Sequence, residues 1–282
     1  MFKKISRSWD LTKESYNVLM LDKELMIFPI VSAVTTVLLL ASFFVPAAYM
    51  IDWSSIDEDG AAANAIGLAA LFVFYFIATF VMMFCNTALL HCAKIRFEGG
   101  DPTVADGFAA GFKHIGKIAY WAAISGTIGV VLAQIEERLG FLGTIIRRLV
   151  GGAWVIVTYF AVPVLIFENV TPGEAIKRSK TVVEKMWGEA LVAHVGMSSV
   201  QSLFAFGGFL VLLGSIPLSI MAENFQILGA GAVLAVAIWL VTAVVFSCLS
   251  QIYRAALYIY ATTNEPPRTF RKELLESAFA AK

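Results

Sequence analysis

The feature that most constrains this chain is a set of long runs without Asp, Glu, Lys, Arg or His. Residues 25–50 and 65–90 hold none of the five, and neither do 118–134, 149–167 or 227–253. A helix crosses a hydrocarbon layer about 30 Å thick with roughly 20 apolar residues, and a charge at its centre is costly. Together with 188–221, these tracts predict six membrane spans. The 25–50 run is longer than a signal-peptide core of about 7–15 residues, so it is read as a retained first span.

Composition agrees with that reading. Charged residues make up 15% and apolar residues 59% of the chain, against about 25% and about 45–50% in soluble globular domains. A soluble enzyme and a disordered chain are excluded. Zero net charge leaves no basic excess to neutralise a phosphate backbone, so nucleic acid is not an expected partner. The expected fold class is all-α and polytopic, with cytoplasmic amphipathic helices before spans 1, 3 and 5.

Lys and Arg resist translocation and mark cytoplasmic loops. All but Arg138, Arg147 and Arg148 of the 21 Lys and Arg fall on one side of a six-span threading. The acids Asp52, Asp57, Glu58, Asp59 and Glu223 fall on the other side. Both termini are therefore expected in the cytoplasm, with the protein in the cell membrane. The stretch 135–148 mixes Ile135, Leu139, Leu142, Ile145 and Ile146 with Glu136, Glu137 and the three arginines. It reads as an interfacial helix whose charges snorkel, with an outer gate or vestibule as the alternative. The fifth tract exceeds one straight crossing and contains Gly207, Gly208, Gly214 and Pro217. A long tilted helix kinked near 214–217 is the favoured reading, and a re-entrant segment the other.

Three inner segments read as surface helices. Phe2, Ile5, Trp9, Tyr16 and Leu19 give the first an apolar face. Asp101 and Pro102 supply an N-cap and first-turn pair for the second, with Val104, Phe108, Phe112 and Ile115 as its stripe. Thr171-Pro172-Gly173-Glu174 fits a capping box for the third, continued by Ile176, Val183 and Trp187. One membrane domain over 1–264 follows, with repeating units at 1–97, 98–168 and 169–264, and a cytoplasmic tail at 265–282.

Chemistry-bearing residues are few. His194 and Gln201 lie seven residues apart, two turns along one face of the fifth tract. His194 is placed to shuttle a proton or bind a headgroup, but a histidine in a packed helix more often bonds a neighbouring carbonyl. Glu168 ends the fourth tract, where Lys94, Arg96 or Arg254 are its expected partners. These three residues form the candidate intramembrane polar site. No HExxH, GxSxG or GxxxxGK[ST] occurs, so no catalytic, cofactor or metal site is expected. Cys85, Cys92 and Cys248 read as small buried hydrophobes. Gly126, Gly129, Gly151, Gly152, Gly229 and Gly231 read as close-approach points between helices. Trp53, Trp121, Trp154 and Trp187 fit an aromatic belt, and Trp239 lies too deep for it.

Ser8-Trp9, Asp22-Lys23-Glu24-Leu25 with Phe28-Pro29, and 171–179 together resemble a family of prokaryotic six-span membrane proteins of unknown function. The 171–179 stretch with Trp187 is also distantly similar to the membrane domain fused to some bacterial glycerophosphodiester phosphodiesterases. The resemblance implies an all-helical fold with amphipathic helices between spans, and no established activity.

Three function classes stay open. The first is a non-enzymatic membrane protein that organises lipid or supports a membrane complex. The second is a permease or channel for a small neutral or hydrophobic solute, resting on 214–217, His194 and Gln201. The third, a lipid-acting intramembrane enzyme, rests on His194 and Glu168. Expected partners are membrane lipids, with a second copy of the chain or another membrane protein as the protein partner.

Overall fold

The structure, a computed structural model, describes residues 2–50, 61–185 and 189–271, with side chains described over 9–43, 45, 67–184 and 198–271. Every regular element among them is helical. In chain order they are α1 (Phe2–Leu21), α2 (Ile27–Met50), α3 (Ala61–Phe97), α4 (Val104–Lys113), α5 (Ile115–Leu139), α6 (Phe141–Val157), α7 (Ala161–Phe167), α8 (Pro172–Lys185), α9 (Glu189–Met221) and α10 (Phe225–Thr263). A short 3₁₀ turn, Lys23–Met26, joins α1 to α2.

Six segments have the length and apolarity to cross a membrane: Lys23–Phe43, Gly67–Phe97, Ile115–Leu139, Phe141–Phe167, Ser198–Met221 and Phe225–Thr263. Their surfaces stay open where a soluble core would cover them. Val37 is 63% exposed, Leu203 68% and Val233 71%. Aliphatic side chains in such numbers are stable outside only where lipid takes the place of water. The protein is an all-α, multi-pass membrane protein.

The chain divides into two compact units. The first comprises residues 1–26, 93–101 and 186–282, so α9 and α10 pack as a long pair with α1 laid against both. The face that α1 buries is Leu11, Ser15, Val18 and Leu19. Trp9 and Tyr16, expected on that face, are 51% and 44% exposed. The small and aliphatic side chains allow the closer approach, which leaves the aromatics on a neighbouring face. Phe2 and Ile5 lie outside the described side chains.

α9 runs unbroken through Gly214 and Pro217. The favoured long helix is therefore present, and a re-entrant segment is not. Ser215 sits where a Cβ on Gly231 would stand, 2.3 Å from its own Cβ, so that glycine does allow α9 and α10 to meet closely. Nothing lies within 4 Å of the Cβ position of Gly152 or Gly229, which serve no such purpose in this chain. α10 extends to Thr263, well past the expected end at 253, and stops where Asn264 takes a left-handed φ of 58°.

The second unit comprises residues 27–92 and 102–185. Here the expectation of an interfacial helix over 135–148 fails. α5 continues to Leu139, Gly140 turns the chain with φ +54°, and α6 starts at Phe141. Two of the charges pair within this hairpin, where Arg147 and Thr144 donate to Glu136, while Arg138 and Arg148 are exposed. Gly143 packs so close that a Cβ there would stand 2.4 Å from the Ile135 carbonyl oxygen. Backbone cannot yield at that distance as a side chain can.

The fourth crossing is also not one helix. The chain leaves helical geometry between Val157 and Ala161, because Pro163 has no N–H to offer the preceding turn. Ser179 of α8 mends the gap. Its Oγ accepts from the Phe160 N–H at 3.0 Å and donates to the Val157 carbonyl at 2.6 Å. Trp121 is buried and stacks on Trp154 with ring centroids 6.0 Å apart, so it packs in this unit where a belt position was expected. A Cβ on Gly126 would stand 3.4 Å from the Phe76 backbone nitrogen and one on Gly129 3.4 Å from the Tyr75 ring, both on α3. Trp53 and Trp187 lie outside the described residues.

The caps show how sequence sets these boundaries. At α8, Thr171 N–H donates to the Glu174 carboxylate at 2.9 Å and Glu174 N–H to Thr171 Oγ1 at 3.4 Å, the expected reciprocal box. At α4 the cap is Thr103, where Asp101 was expected. Thr103 has the extended backbone a cap requires (φ −107°, ψ 160°), and it exchanges hydrogen bonds with Asp106. The Asp101 carboxylate accepts from Arg96.

Candidate functional site

In the first unit a cavity of about 590 Å³ opens between α1 and the α9–α10 pair. One wall is the α1 face bearing Trp9, Thr12, Lys13, Tyr16 and Asn17. These positions share a face because they recur at three- and four-residue spacing. The opposite wall is mostly apolar: Phe204 of α9 with Val241, Val245, Phe246 and Leu249 of α10, joined by Thr242. Phe204 and Phe246 pack with ring centroids 5.7 Å apart and form its floor.

Gln201 stands one turn before Phe204 on α9 and is half-buried. The side chain of His194 lies outside the described residues, so the two-turn His194–Gln201 pair is represented here by Gln201 alone. A turn beyond Gln201, the Trp239 indole N–H donates to the Ala205 carbonyl at 2.8 Å. That bond gives Trp239 a polar partner deep in the apolar pair, a role its sequence position did not disclose.

The same unit holds an ion cluster below α1. Arg96 Nε donates to Asp22 Oδ2 at 2.6 Å, its Nη2 reaches the other Asp22 oxygen, and it also binds Asp101. The Asp22 side chain is 4% exposed and that of Arg96 18%, so this two-pronged pair is largely withdrawn from solvent. Arg271 binds Glu14 of α1, and Phe270 packs edge-on against Phe97 at 5.8 Å. Arg96, expected as a partner for Glu168, pairs with Asp22 and Asp101, and Arg271 had stood only as a topology marker. An acid immediately after an amphipathic helix was the signal available for Asp22.

In the second unit, Glu168 ends α7 half-buried, and its ion-pair partner is Arg178 of α8, 3.3 Å away. Arg178 was not among the cations expected for it. Glu168, Glu174, Lys177 and Arg178 line a second, shallower recess of about 410 Å³. The capping bonds from Thr171 hold the Glu174 carboxyl below the usual carboxylate range, first through its backbone N–H and then through its hydroxyl. Lys117 closes the adjoining turn, donating to Asn169 Oδ1 at 2.7 Å while Asn169 adopts a left-handed φ of 56°. His114, buried between α4 and α5, has its pKa lowered chiefly by burial, then by Lys117, Lys113 and His91.

Cys85, Cys92 and Cys248 are buried free thiols. No three His, Cys, Asp or Glu side chains converge as metal ligands would, among the described residues. Among the described residues, a polar wall with one cation faces a mostly apolar one in the first unit, and a mixed-charge recess lies in the second.

No curated protein matches the chain. A family model described as a family of unknown function, DUF6159, matches residues 65–267, which includes α4 to α10 and most of α3. The chain, with six segments long and apolar enough to cross a membrane, belongs to that family.

Proposed function

We propose that this chain is a non-enzymatic integral membrane protein of the cell membrane, with both termini cytoplasmic, that organises lipid at its cytoplasmic face. The observation that carries this reading is the groove between α1 and the α9–α10 pair, polar on one wall and mostly apolar on the other. That polarity matches an amphiphile at a membrane boundary, where a surface helix buries one face and presents cations on another. The permease reading rested on a break at 214–217 together with His194 and Gln201, and α9 passes through 214–217 as a single helix.

Purified full-length protein in proteoliposomes tests the reading. Extraction followed by mass spectrometry is expected to recover phospholipid retained through detergent exchange, and entrapped neutral solutes are expected to stay entrapped. Solute flux above that of empty liposomes, abolished by His194→Ala, would overturn the proposal.

A further inference from the structure

Three facts about the groove in the first unit specify its occupant more narrowly. Most of its polar groups stand on α1, with Thr242 alone among the described residues of the opposite, otherwise carbon wall, so a soluble ion would leave most of that wall unmatched and a pure hydrocarbon the α1 face. Its volume, about 590 Å³, lies in the range of about 300–1,000 Å³ that holds small organic ligands. Lys13 is the one cation on its lining among the described residues.

Lys13 has no ion-pair partner among the described residues. The acid next to it on α1, Glu14, is already bound by Arg271, and Asp22 is held by Arg96. An unneutralised ammonium beside apolar surface attracts an anion tethered to hydrocarbon. Trp9 and Tyr16, both partly exposed on the same face, suit the headgroup level, where aromatic rings place one edge in water and the other in acyl chain. From Trp9 to Asn17 the helix rises about 12 Å, enough to run beside the upper part of an acyl chain.

We infer that this groove seats an anionic glycerophospholipid, its phosphate at Lys13 and an acyl chain laid against Val245 and Phe246. The inference rests on the lipid-organising reading and deepens it by naming the lipid class and the contact that selects it. Free phosphate lacks the tail that the α10 wall would cover, and a zwitterionic lipid presents a compensating cation to Lys13.

The test is binding of phosphatidylglycerol, phosphatidylcholine and inorganic phosphate to the full-length protein in detergent, read by native mass spectrometry and by the shift in thermal midpoint. Wild type is expected to prefer phosphatidylglycerol and to ignore inorganic phosphate. Lys13→Gln is expected to weaken phosphatidylglycerol binding about fivefold, the effect of one surface cation, and to leave phosphatidylcholine unchanged. Val245→Trp, which fills the groove, is expected to weaken both lipids, and Lys180→Gln on the exposed face of α8 neither. Undiminished phosphatidylglycerol binding by Lys13→Gln would overturn the groove assignment while leaving a lipid-organising role standing. So would equal stabilisation by inorganic phosphate. Failure of wild type to bind either lipid would remove both. Because Lys13 is exposed, its variant keeps the test valid even if Val245→Trp does not fold.

Discussion

Trp239 donates its indole N–H to the Ala205 carbonyl of the neighbouring helix at 2.8 Å, and it reaches that carbonyl through the space left by Gly208. A Cβ on Gly208 would lie 2.6 Å from the indole nitrogen, so α9 and α10 are fitted around one ring. Gly208→Ala is expected to destabilise by about 1–3 kcal/mol through overpacking. Gly207→Ala, with open space beside it, should be neutral or slightly stabilising because alanine favours helix. Thermal unfolding in detergent, followed by circular dichroism, compares the two.

Asp22 and Arg96 lie 74 residues apart in sequence and form the most withdrawn ion pair of the first unit. Asp22→Ala strands a guanidinium where little water reaches. The expected loss is about 3 kcal/mol, the low end for breaking a buried pair, because Asp101 still accepts from Arg96. Arg96→Lys should recover only part of it, since an ammonium cannot bind both carboxylate oxygens in the same fork. Equal stability of wild type and Asp22→Ala in a detergent melt would contradict this account.

Ser179 supplies two hydrogen bonds to the backbone at the α6–α7 break. Ser179→Ala is expected to cost about 1–3 kcal/mol, the penalty for a buried polar group without its partner. Amide exchange should show the loss at Phe160 first. Ser179→Cys, nearly the same size with a weaker donor, should fall between the two.

The lowered pKa of His114 fixes a sign for pH dependence. The unfolded chain takes up a proton near pH 6.5 while the folded protein still resists it. Stability therefore falls as pH drops from about 6.5 toward the folded value, and the slope levels off below that. His114→Gln should flatten this part of the curve. An unchanged curve from pH 7 to pH 5 in the variant would show that His114 does not set it.

The membrane architecture was legible because exclusion of charge over 20 or more residues is a local property, readable without knowing any contact. The capping box at Thr171 was legible for the same reason. Thr103 was not, since Asp101 and Thr103 are both good caps and backbone geometry decided between them. Pro163 stood in the sequence as a signal for the broken fourth crossing, but the tract around it is so uniformly apolar that its length prevailed. The Arg96–Asp22 pair and the Trp239–Ala205 bond join distant segments and leave no periodic trace. Residues on α1 were assigned to one face by spacing. The structure splits them into a buried aliphatic face and a groove face, a division set by what α9 and α10 can accommodate.

Accessibility of single cysteines to a membrane-impermeant thiol reagent on intact cells tests the six-span threading most directly. Phe141→Cys and Met221→Cys, each at an exposed turn between spans, should label from outside. Glu98→Cys and Lys180→Cys should label only after the membrane is permeabilised. Reaction at position 180 in intact cells, or protection at 141, would contradict the account.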